Sequence, residues 1–361
     1  MKFVHIADMH FDSPFVNLSD KENLGDLRRL DQRKAFKKVI EYIKENTIKY
    51  LFISGDLYEQ KYIKKSTIEY INNLFKEIPE TKIFISPGNH DPYIKNSYYY
   101  KFNWNENVKI FSSKIEKIEL EEADIYGYGF DDFYCKDFRI KELNIENKNK
   151  LNILIIHGAL NGGTIQDHEY NPISKSELEE KGFDYVALGH IHKLDYNTQE
   201  NQRIVYPGST ISLGFDELGK HGMIVGELEK EKIKLQFIPL DEKEFQLKEL
   251  NVTDIISKEE LIEKINELNF EENKLIEIIL IGKRNFEINT YELNKLIFNE
   301  KIIKIKNKTK INYDLEKIAN ENTLKGLFAK NIKNKLNDET LTEEEKEIVE
   351  KAIEIAFDAL E

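Results

Sequence analysis

Short apolar runs bounded by glycine or polar residues recur along the first half of the chain: KFVHIA at 2–7, YLFIS at 50–54, KIFIS at 82–86, LNILII at 151–156 and DYVAL at 184–188. Their length and β-branched content predict buried strands rather than helices. Between them, QRKAFKKVIEYIKEN at 32–46 and STIEYINNLFKE at 66–77 repeat apolar residues at helical spacing. Strand, helix, strand in this order predicts an α/β fold built on a largely parallel sheet. Two further runs, RIVY at 203–206 and GMIVGEL at 222–228, followed by KIKLQFI at 232–238, lack intervening helices. They predict antiparallel strands that complete the layer.

From about residue 240 the pattern changes. FQLKEL, SKEELIEKINEL, KLIEIILIG, TYELNKLIF and KIIKIKN alternate strand and helix, over a block of roughly 70 residues that suits a small α+β domain. Its strand ends carry no residues of the metal-ligating kind. After 311 the pattern becomes helical, and EEEKEIVEKAIEIAFDAL predicts an amphipathic helix with Ile348, Ala352, Ile355, Ala356 and Leu360 on or near one face. The expected division is therefore 1–240, 241–311 and 312–361.

Composition narrows the function classes. Against 53 basic residues stand 66 acidic ones, a formal charge of −13, which argues against a protein that holds nucleic acid by bulk charge. Any polyanion must be met locally. Arg28, Arg29, Arg33, Lys34, Lys37 and Lys38 on the first helix, with Lys61, Lys64 and Lys65, offer such a patch; an ordinary charged helix face is the competing reading. The lone cysteine, Cys135, excludes an intrachain disulfide and a thiolate-rich zinc site, and suits a reducing cytoplasm. FVHIAD is too short for a signal sequence, and no run approaches the ~18 apolar residues of a membrane span.

The chemistry lies where the five runs stop. The first ends in Asp8 and His10, the second in Gly55-Asp56, the third in Gly88-Asn89-His90-Asp91, the fourth in His157-Gly158 and the fifth in Gly189-His190-Ile191-His192. Singly, each is compatible with a turn or a helix cap. In an open α/β sheet, however, the carboxyl ends of the strands share one edge, where ligands bind. Imidazole, carboxylate and amide without sulfur suit a divalent ion such as Mn²⁺, Fe²⁺ or Zn²⁺. Seven donors exceed the needs of one catalytic ion, and two ions with a carboxylate between them fit.

The motif order Asp-x-His, Gly-Asp, Gly-Asn-His-Asp, His-Gly and Gly-His-x-His resembles the calcineurin-like metallophosphoesterases over roughly residues 1–230. HIADMHFDSPF, ALGHIHK, YPGSTISLGFDELGKHG and ENTLKGLF are similar to the DNA-repair exonuclease branch, the SbcD/Mre nucleases and especially their YhaO-like relatives. The resemblance implies a two-sheet αββα sandwich with a small capping domain and a helical C-terminus. It implies that Asp8, His10 and His192 hold one metal and Asn89, His157 and His190 the other, with Asp56 bridging and manganese as the expected ion. His90 would protonate the departing oxygen or stabilise charge on the phosphate, with Asp91 orienting its imidazole. The implied activity is phosphodiester hydrolysis by metal-activated water, as a DNA exo- or endonuclease or nuclease subunit. The alternative substrates are nucleotides or other small phosphoesters, and protein phosphomonoesters stand further off.

The resemblance also implies partners: DNA, a homodimer, and an SbcC/Rad-like or YhaN-like ATPase docking on LKGLF at 324–328 and the stripe of the last helix. Packing of those helices on the protein's own core is the competing expectation. Many SbcD/Mre nucleases carry a histidine shortly after the second motif, whereas this chain reads GDLYEQKYIKKS, with Glu59 and Lys61. That departure bears on substrate positioning and cleavage direction. His168, in NGGTIQDHEYNP, reads as part of a solvated loop or a substrate contact, His221 as support for a turn near the metal edge, and His5 as a packed core residue.

Overall fold

The five apolar runs form strands, but two sheets share them. The computed structural model describes the chain except for residues 16–17, 19–22, 135–138, 161–163, 166–167, 170–172, 197–201, 339 and 360–361. The chain divides into two units, residues 1–246 with 273–275 and residues 247–272 with 276–361. The first opens with β1 (Lys2–Ile6), α1 (Leu24–Glu45), β2 (Tyr50–Ile53), α2 (Lys65–Lys76), β3 (Lys82–Ile85) and a short α3 (Tyr98–Lys101). Three strands follow that the apolar pattern does not announce: β4 (Val108–Ile110), β5 (Glu116–Glu119) and β6 (Ala123–Gly127). Then come β7 (Leu151–His157), the two-residue β8 (Thr164–Ile165) and β9 (His168–Glu169), and α4 (Lys175–Lys181). The unit closes with β10 (Tyr185–Gly189), β11 (Ile204–Val205), β12 (Gly222–Leu228) and β13 (Ile233–Pro239).

One sheet runs β13-β12-β1-β2-β3-β4 and the other β11-β10-β7-β6-β5. β1 to β4 are parallel, as are β6, β7, β10 and β11. β12 and β13 are antiparallel as expected. The RIVY run is not: β11 lies parallel to β10. Residues 190–203 supply the dozen or so residues that a parallel crossover needs, without requiring a helix.

Alternation at period two explains how the sheets pack. Phe3, Phe52 and Phe84 of the first sheet meet Ile153, Ile155, Tyr185 and Ala187 of the second in one buried cluster. The intervening Leu154, Ile156, Val186 and Leu188 face the other way, onto Leu178 of α4 and Ile140. Strands buried on both faces read as continuous apolar runs, which is why these were visible. One polar bolt crosses the seam. His5 of β1 is fully buried and pairs through Nδ1 with the Tyr185 hydroxyl at 2.9 Å and through Nε2 with Ser54 Oγ at 3.0 Å. Ser54 gives its own proton to the Ala187 carbonyl at 2.9 Å. His5 Nε2 is therefore the donor, and the ring is neutral.

The basic cluster on α1 is neutralised within the first unit. Arg28 is buried and forks onto Asp241 at 3.0 and 2.7 Å, with Asp31 at 3.1 Å and the Ser212 carbonyl at 2.8 Å. Arg29 pairs with Asp26, Arg33 with Asp12, Lys34 with Asp31, Lys37 with Glu41, and Lys38 with Glu242. It is the charged, internally paired helix face, not an open patch for polyanions.

The second unit contains β14 (Glu244–Asn251) and β15 (Lys274–Ile281), both begun in the first, with α5 (Lys258–Asn266) between them, then β16 (Lys283–Arg284), α6 (Thr290–Leu296), β17 (Ile302–Asn307) and β18 (Lys310–Ile311). Its three-stranded sheet, β14-β15-β17, buries Ile276, Ile278, Leu280 and Ile305 against Leu261, Ile265 and Leu293 of α5 and α6. α7 (Leu315–Ala319), α8 (Leu324–Leu336) and α9 (Glu343–Ala359) build a separate cluster on Ala329, Ile332, Val349, Ile353 and Phe357. The buried stripe of α9 thus differs from the expected one: Ile348, Ala352 and Ile355 are exposed. Tyr313 and Phe328 pack edge-to-face on Phe357, with ring centroids at 4.6 and 5.8 Å, and favour the 349/353/357 face.

Candidate metal centre

Asp8 and His10 follow β1, Asp56 follows β2, and Asn89 to Asp91 follow β3. His157 ends β7, while His190 and His192 follow β10. The carboxyl ends of parallel strands from both sheets therefore deliver these groups to one place. The backbone bends hard to do so. Asp8, His10, Asp56 and His190 adopt φ of 51°, 49°, 52° and 104°, in a region that costs a residue with a Cβ about 1–2 kcal/mol and that clusters at functional sites. Hydrogen bonds between loops hold the bends: Asp8 N to Gly55 O at 3.1 Å, His10 N to Asp56 O at 2.9 Å, and Gly158 N to Gly189 O at 3.1 Å. Gly88 is needed for close approach, since a Cβ there would lie 2.3 Å from Asp56 Oδ1.

The donor atoms converge with their lone pairs inward. His10 Nδ1 gives its proton to Glu59 Oε1 at 2.7 Å, and His192 Nδ1 gives its proton to Glu217 Oε1 at 2.5 Å. Their Nε2 atoms then face each other at 3.1 Å, with Asp8 Oδ1 3.8 Å from that of His192 and Asp56 Oδ2 3.8 Å from that of His10. On the other flank, His157 Nδ1 donates to the Ser54 carbonyl at 2.8 Å, so its Nε2 confronts Asn89 Oδ1 at 3.0 Å and Asp56 Oδ2 at 3.3 Å. Acceptors held this close repel one another unless a proton or a cation lies between them. Three groups of side chains bring candidate ligand atoms within 4.8 Å of one another: Asp8, His10 and His192; Asp8, Asp56 and His157; and His10, Asp56 and His90. Asp56 appears in two of them, on both flanks. His190 belongs to none of these groups, and its ring centroid lies 5.2 Å from that of His157.

Burial disfavours charge on His157, His192, His90 and His190, yet the carboxylates outweigh it at the first three. His157 is pushed up to about 9 by Asp56 and Asp8, His192 to about 9 by Glu217 and Asp8, and His90 to about 10 by Asp56 and Glu59. Asp56 is held well below the usual carboxylate range despite burial, chiefly by His157 and His90. Burial raises Asp8. It also lowers His190 to about 3, aided by the charge of His157, so that this ring stays neutral. Imidazoles that hold protons this firmly against neighbouring carboxylates form a frame that fits a divalent cation, which would displace those protons. With nitrogen and oxygen donors and no sulfur, the set fits Mn²⁺, Fe²⁺ or Zn²⁺.

Two carboxylates differ from expectation. Asp91 does not orient the His90 ring. Fully buried, it accepts from Gly88 N at 2.7 Å, Asp56 N at 3.0 Å, Leu57 N at 2.6 Å and the Tyr99 hydroxyl at 2.7 Å. It fastens the β2 and β3 loops together, and its lone pairs are consumed by backbone. Glu59 takes the orienting place: Oε2 bonds His90 Nδ1 at 3.0 Å while Oε1 holds His10. Burial would raise Glu59, but hydrogen bonds from both rings bring it to about 2. Glu217 lies within the family-like stretch YPGSTISLGFDELGKHG, but it escaped the sequence reading because it sits 25 residues past its histidine and nothing local marks it as that ring's partner. Its Oε2 accepts from Ser209 Oγ at 2.9 Å, and His221 braces the turn through Ser209 Oγ at 2.8 Å and the Glu217 carbonyl at 3.0 Å. His221 is thus a turn support and His5 a core residue, as their contexts suggest. The side chain of His168 lies outside the described residues, as does Cys135.

Comparison with known proteins identifies the family. The model of the calcineurin-like phosphoesterase family matches residues 1–194. The chain is 26% identical over 246 residues to the uncharacterized metallophosphoesterase YhaO of Bacillus subtilis, covering 66% of this chain and 60% of that one. It is 30% identical over 318 residues to the SbcD subunit of the nuclease SbcCD of Staphylococcus epidermidis, covering 77% and 79%. A solved structure, TT1561 of Thermus thermophilus, aligns with 65% of this chain and 98% of its own at 13% identity and a TM-score of 0.38. With a family model covering more than half its length and an Asp/His frame suited to divalent ions where that model lies, the chain belongs to the calcineurin-like phosphoesterases.

Proposed function

We propose that this protein is a two-metal phosphodiesterase whose substrate is DNA, acting in repair as a nuclease or nuclease subunit. The observation that carries the reading is the pair of inward-facing acceptor sets, His10 with His192 and His157 with Asn89, joined through Asp56. In this reading Asp8, His10 and His192 hold one ion, Asn89, His157 and His190 the other, and Asp56 both. Two such ions supply Lewis acidity at the phosphoryl group and lower the pKa of an attacking water. The chain's own residues do the rest. His90 stands half exposed with its Nδ1 tied to Glu59 Oε2, which leaves its Nε2 to protonate the leaving oxygen or to bind a phosphoryl oxygen.

The nuclease assignment is supported by the likeness to the SbcCD nuclease subunit over more than three quarters of both chains. For the division of labour we keep a catalytic part at 1–240, a cap at 241–311 and a helical segment at 312–361. Exposed Leu324, Leu327, Ile348 and Ile355 on α8 and α9 support the docking of an ATPase partner there. No helix among the described residues is long and apolar enough to cross a membrane, and a cytoplasmic site of action accords with the single cysteine.

The test is incubation with Mn²⁺ and end-labelled single- and double-stranded DNA, alongside bis(p-nitrophenyl) phosphate. DNA cleavage abolished by Asp56→Asn is expected. Hydrolysis of the small diester with DNA left intact under every divalent ion would replace the nuclease by a small-molecule phosphodiesterase.

A further inference from the structure

Two segments frame His90, and their charge runs against that of the whole chain. Residues 58–65 and 92–101 carry five lysines and a single carboxylate, Glu59, in a protein of formal charge −13. Glu59 is already committed to the rings of His10 and His90. The segments lie side by side. Gln60 N bonds the His90 carbonyl at 2.9 Å, Gln60 Nε2 bonds the Asn96 carbonyl at 3.2 Å, and the ring centroids of Tyr58 and Tyr99 are 4.9 Å apart. Together they form one ledge that begins at the half-exposed His90 imidazole.

The ledge turns aromatic faces and cations toward water. Tyr62 and Tyr100 are 43% and 57% exposed, and Tyr100 packs edge-on against the partly exposed Tyr93, with ring centroids at 5.9 Å. Lys61 Nζ lies 5.3 Å from the centre of the Tyr62 ring. Lys61, Lys64 and Lys95 are exposed and meet no carboxylate among the described residues, whereas the basic residues of α1 all do. Tyr93 follows His90 by three residues, and Tyr62 follows Glu59 by three. The Cα atoms within each of these pairs are therefore at most about 10 Å apart.

Exposed rings alternating with free ammonium groups suit a single nucleic-acid strand, whose bases stack on the rings while its phosphates meet the cations. A second copy of this chain is the poorer occupant. A two-fold contact sets one patch against itself, and here it would bring lysine against lysine with no uncommitted carboxylate in either segment. We propose that the ledge carries the single strand leaving the scissile phosphate on the His90 side, with bases stacked on Tyr62 and Tyr100 and phosphates beside Lys61, Lys64 and Lys95. The proposal rests on the phosphodiesterase reading above, in which His90 faces the leaving oxygen, and adds the part of the substrate that lies beyond that oxygen. In a duplex the base faces are stacked on one another, so the strand on the ledge is unpaired.

The deciding measurement does not need catalysis. Binding of a fluorescein-labelled oligothymidylate to the full-length, metal-free protein, read by anisotropy, should weaken about 5- to 150-fold in Tyr62→Ala and in Tyr100→Ala, the range for loss of one stacked base. Tyr62→Phe and Tyr100→Phe should restore it, since the ring and not the hydroxyl does the stacking. An abasic strand of the same length should not distinguish the alanine variants from the parent. In Lys61→Gln and Lys95→Gln the slope of log affinity against log salt should each become shallower by about 0.7. Equal affinity of the parent and both alanine variants for the oligothymidylate, or tighter binding of duplex than of single strand, overturns the ledge whatever the protein hydrolyses. So does a dimer in sedimentation that Tyr100→Ala dissociates without changing oligonucleotide affinity, which would make the patch a self-contact. Binding as expected, with no DNA cleaved under any divalent ion, upholds the ledge as a strand-binding surface and overturns the catalytic reading beneath it.

Discussion

Glu59 and Glu217 perform one task for the two facing rings of one flank: each accepts from the Nδ1–H of an imidazole and thereby points its Nε2 at the centre. Neither was legible as such. Glu59 is visible in sequence only as an acidic residue shortly after the second motif, and its two contacts depend on His10 and His90 arriving from other strands. Glu217→Gln should keep the shape and lose the charge; Mn²⁺ affinity measured by calorimetry should fall about 10- to 100-fold, as for other carboxylates behind metal-bound histidines. His90 separates two roles. His90→Asn should lower kcat by about 10²- to 10⁴-fold with metal content unchanged; loss of an ion from the variant would make this ring a ligand instead. His5 tests the seam. Burial lowers its pKa from 6.5 to about 3, so between these values the unfolded chain binds the extra proton and stability rises with pH. Its contribution is complete above pH 6.5 and is lost as pH falls towards 3, at up to about 1.4 kcal/mol per unit. Urea unfolding of His5→Asn should therefore show a shallower decline over that window than the unsubstituted protein.

At the scale of elements, most strands were legible from their apolar runs or alternation, and β4, β5 and β6 were not. β4 and β5 read VKI and EKIE, short segments whose residues are only partly buried and too few to establish a period. The start of α1 was hidden as well. It begins at Leu24, eight residues before the amphipathic stretch, because Leu27 and Leu30 face water and break the stripe. α9 carries apolar residues on two adjoining faces, and only the rings of Tyr313 and Phe328, distant in sequence, decide between them. Loops were legible as turns, but not as interlocked turns. Gly88→Ala probes that interlock: its Cβ would meet Asp56 Oδ1 at 2.3 Å and the His157 ring at 2.9 Å. The variant should still fold, with a circular dichroism spectrum like that of the parent, while its metal content drops below half.

For the whole molecule, convergence of five strand ends on one edge was legible because parallel strands share a direction. The allotment of those strands to two sheets came instead from the resemblance, since both sheets use the same alternation and nothing local assigns a strand to one of them. The basic residues of α1 show the complementary failure: composition counts charges, but only the fold shows that each meets a carboxylate. In the second unit, the cluster around Ile276 and Leu293 and the cluster around Ile353 and Phe357 share no member. Removing residues 312–361 takes away the second without opening the first. The shortened protein should retain cooperative unfolding and its Mn²⁺ content; loss of both would assign those helices to the structural core and leave none of their surface for a partner.

Ser54 answers to two masters. Its hydroxyl closes the seam between the sheets, while its carbonyl fixes which nitrogen of His157 carries the proton. Drift in the packing of the interior is therefore felt at the reaction centre, and adaptation of the centre is felt in the interior. Such a position has few tolerated replacements, since a new side chain must still accept from His5 and donate to the Ala187 carbonyl.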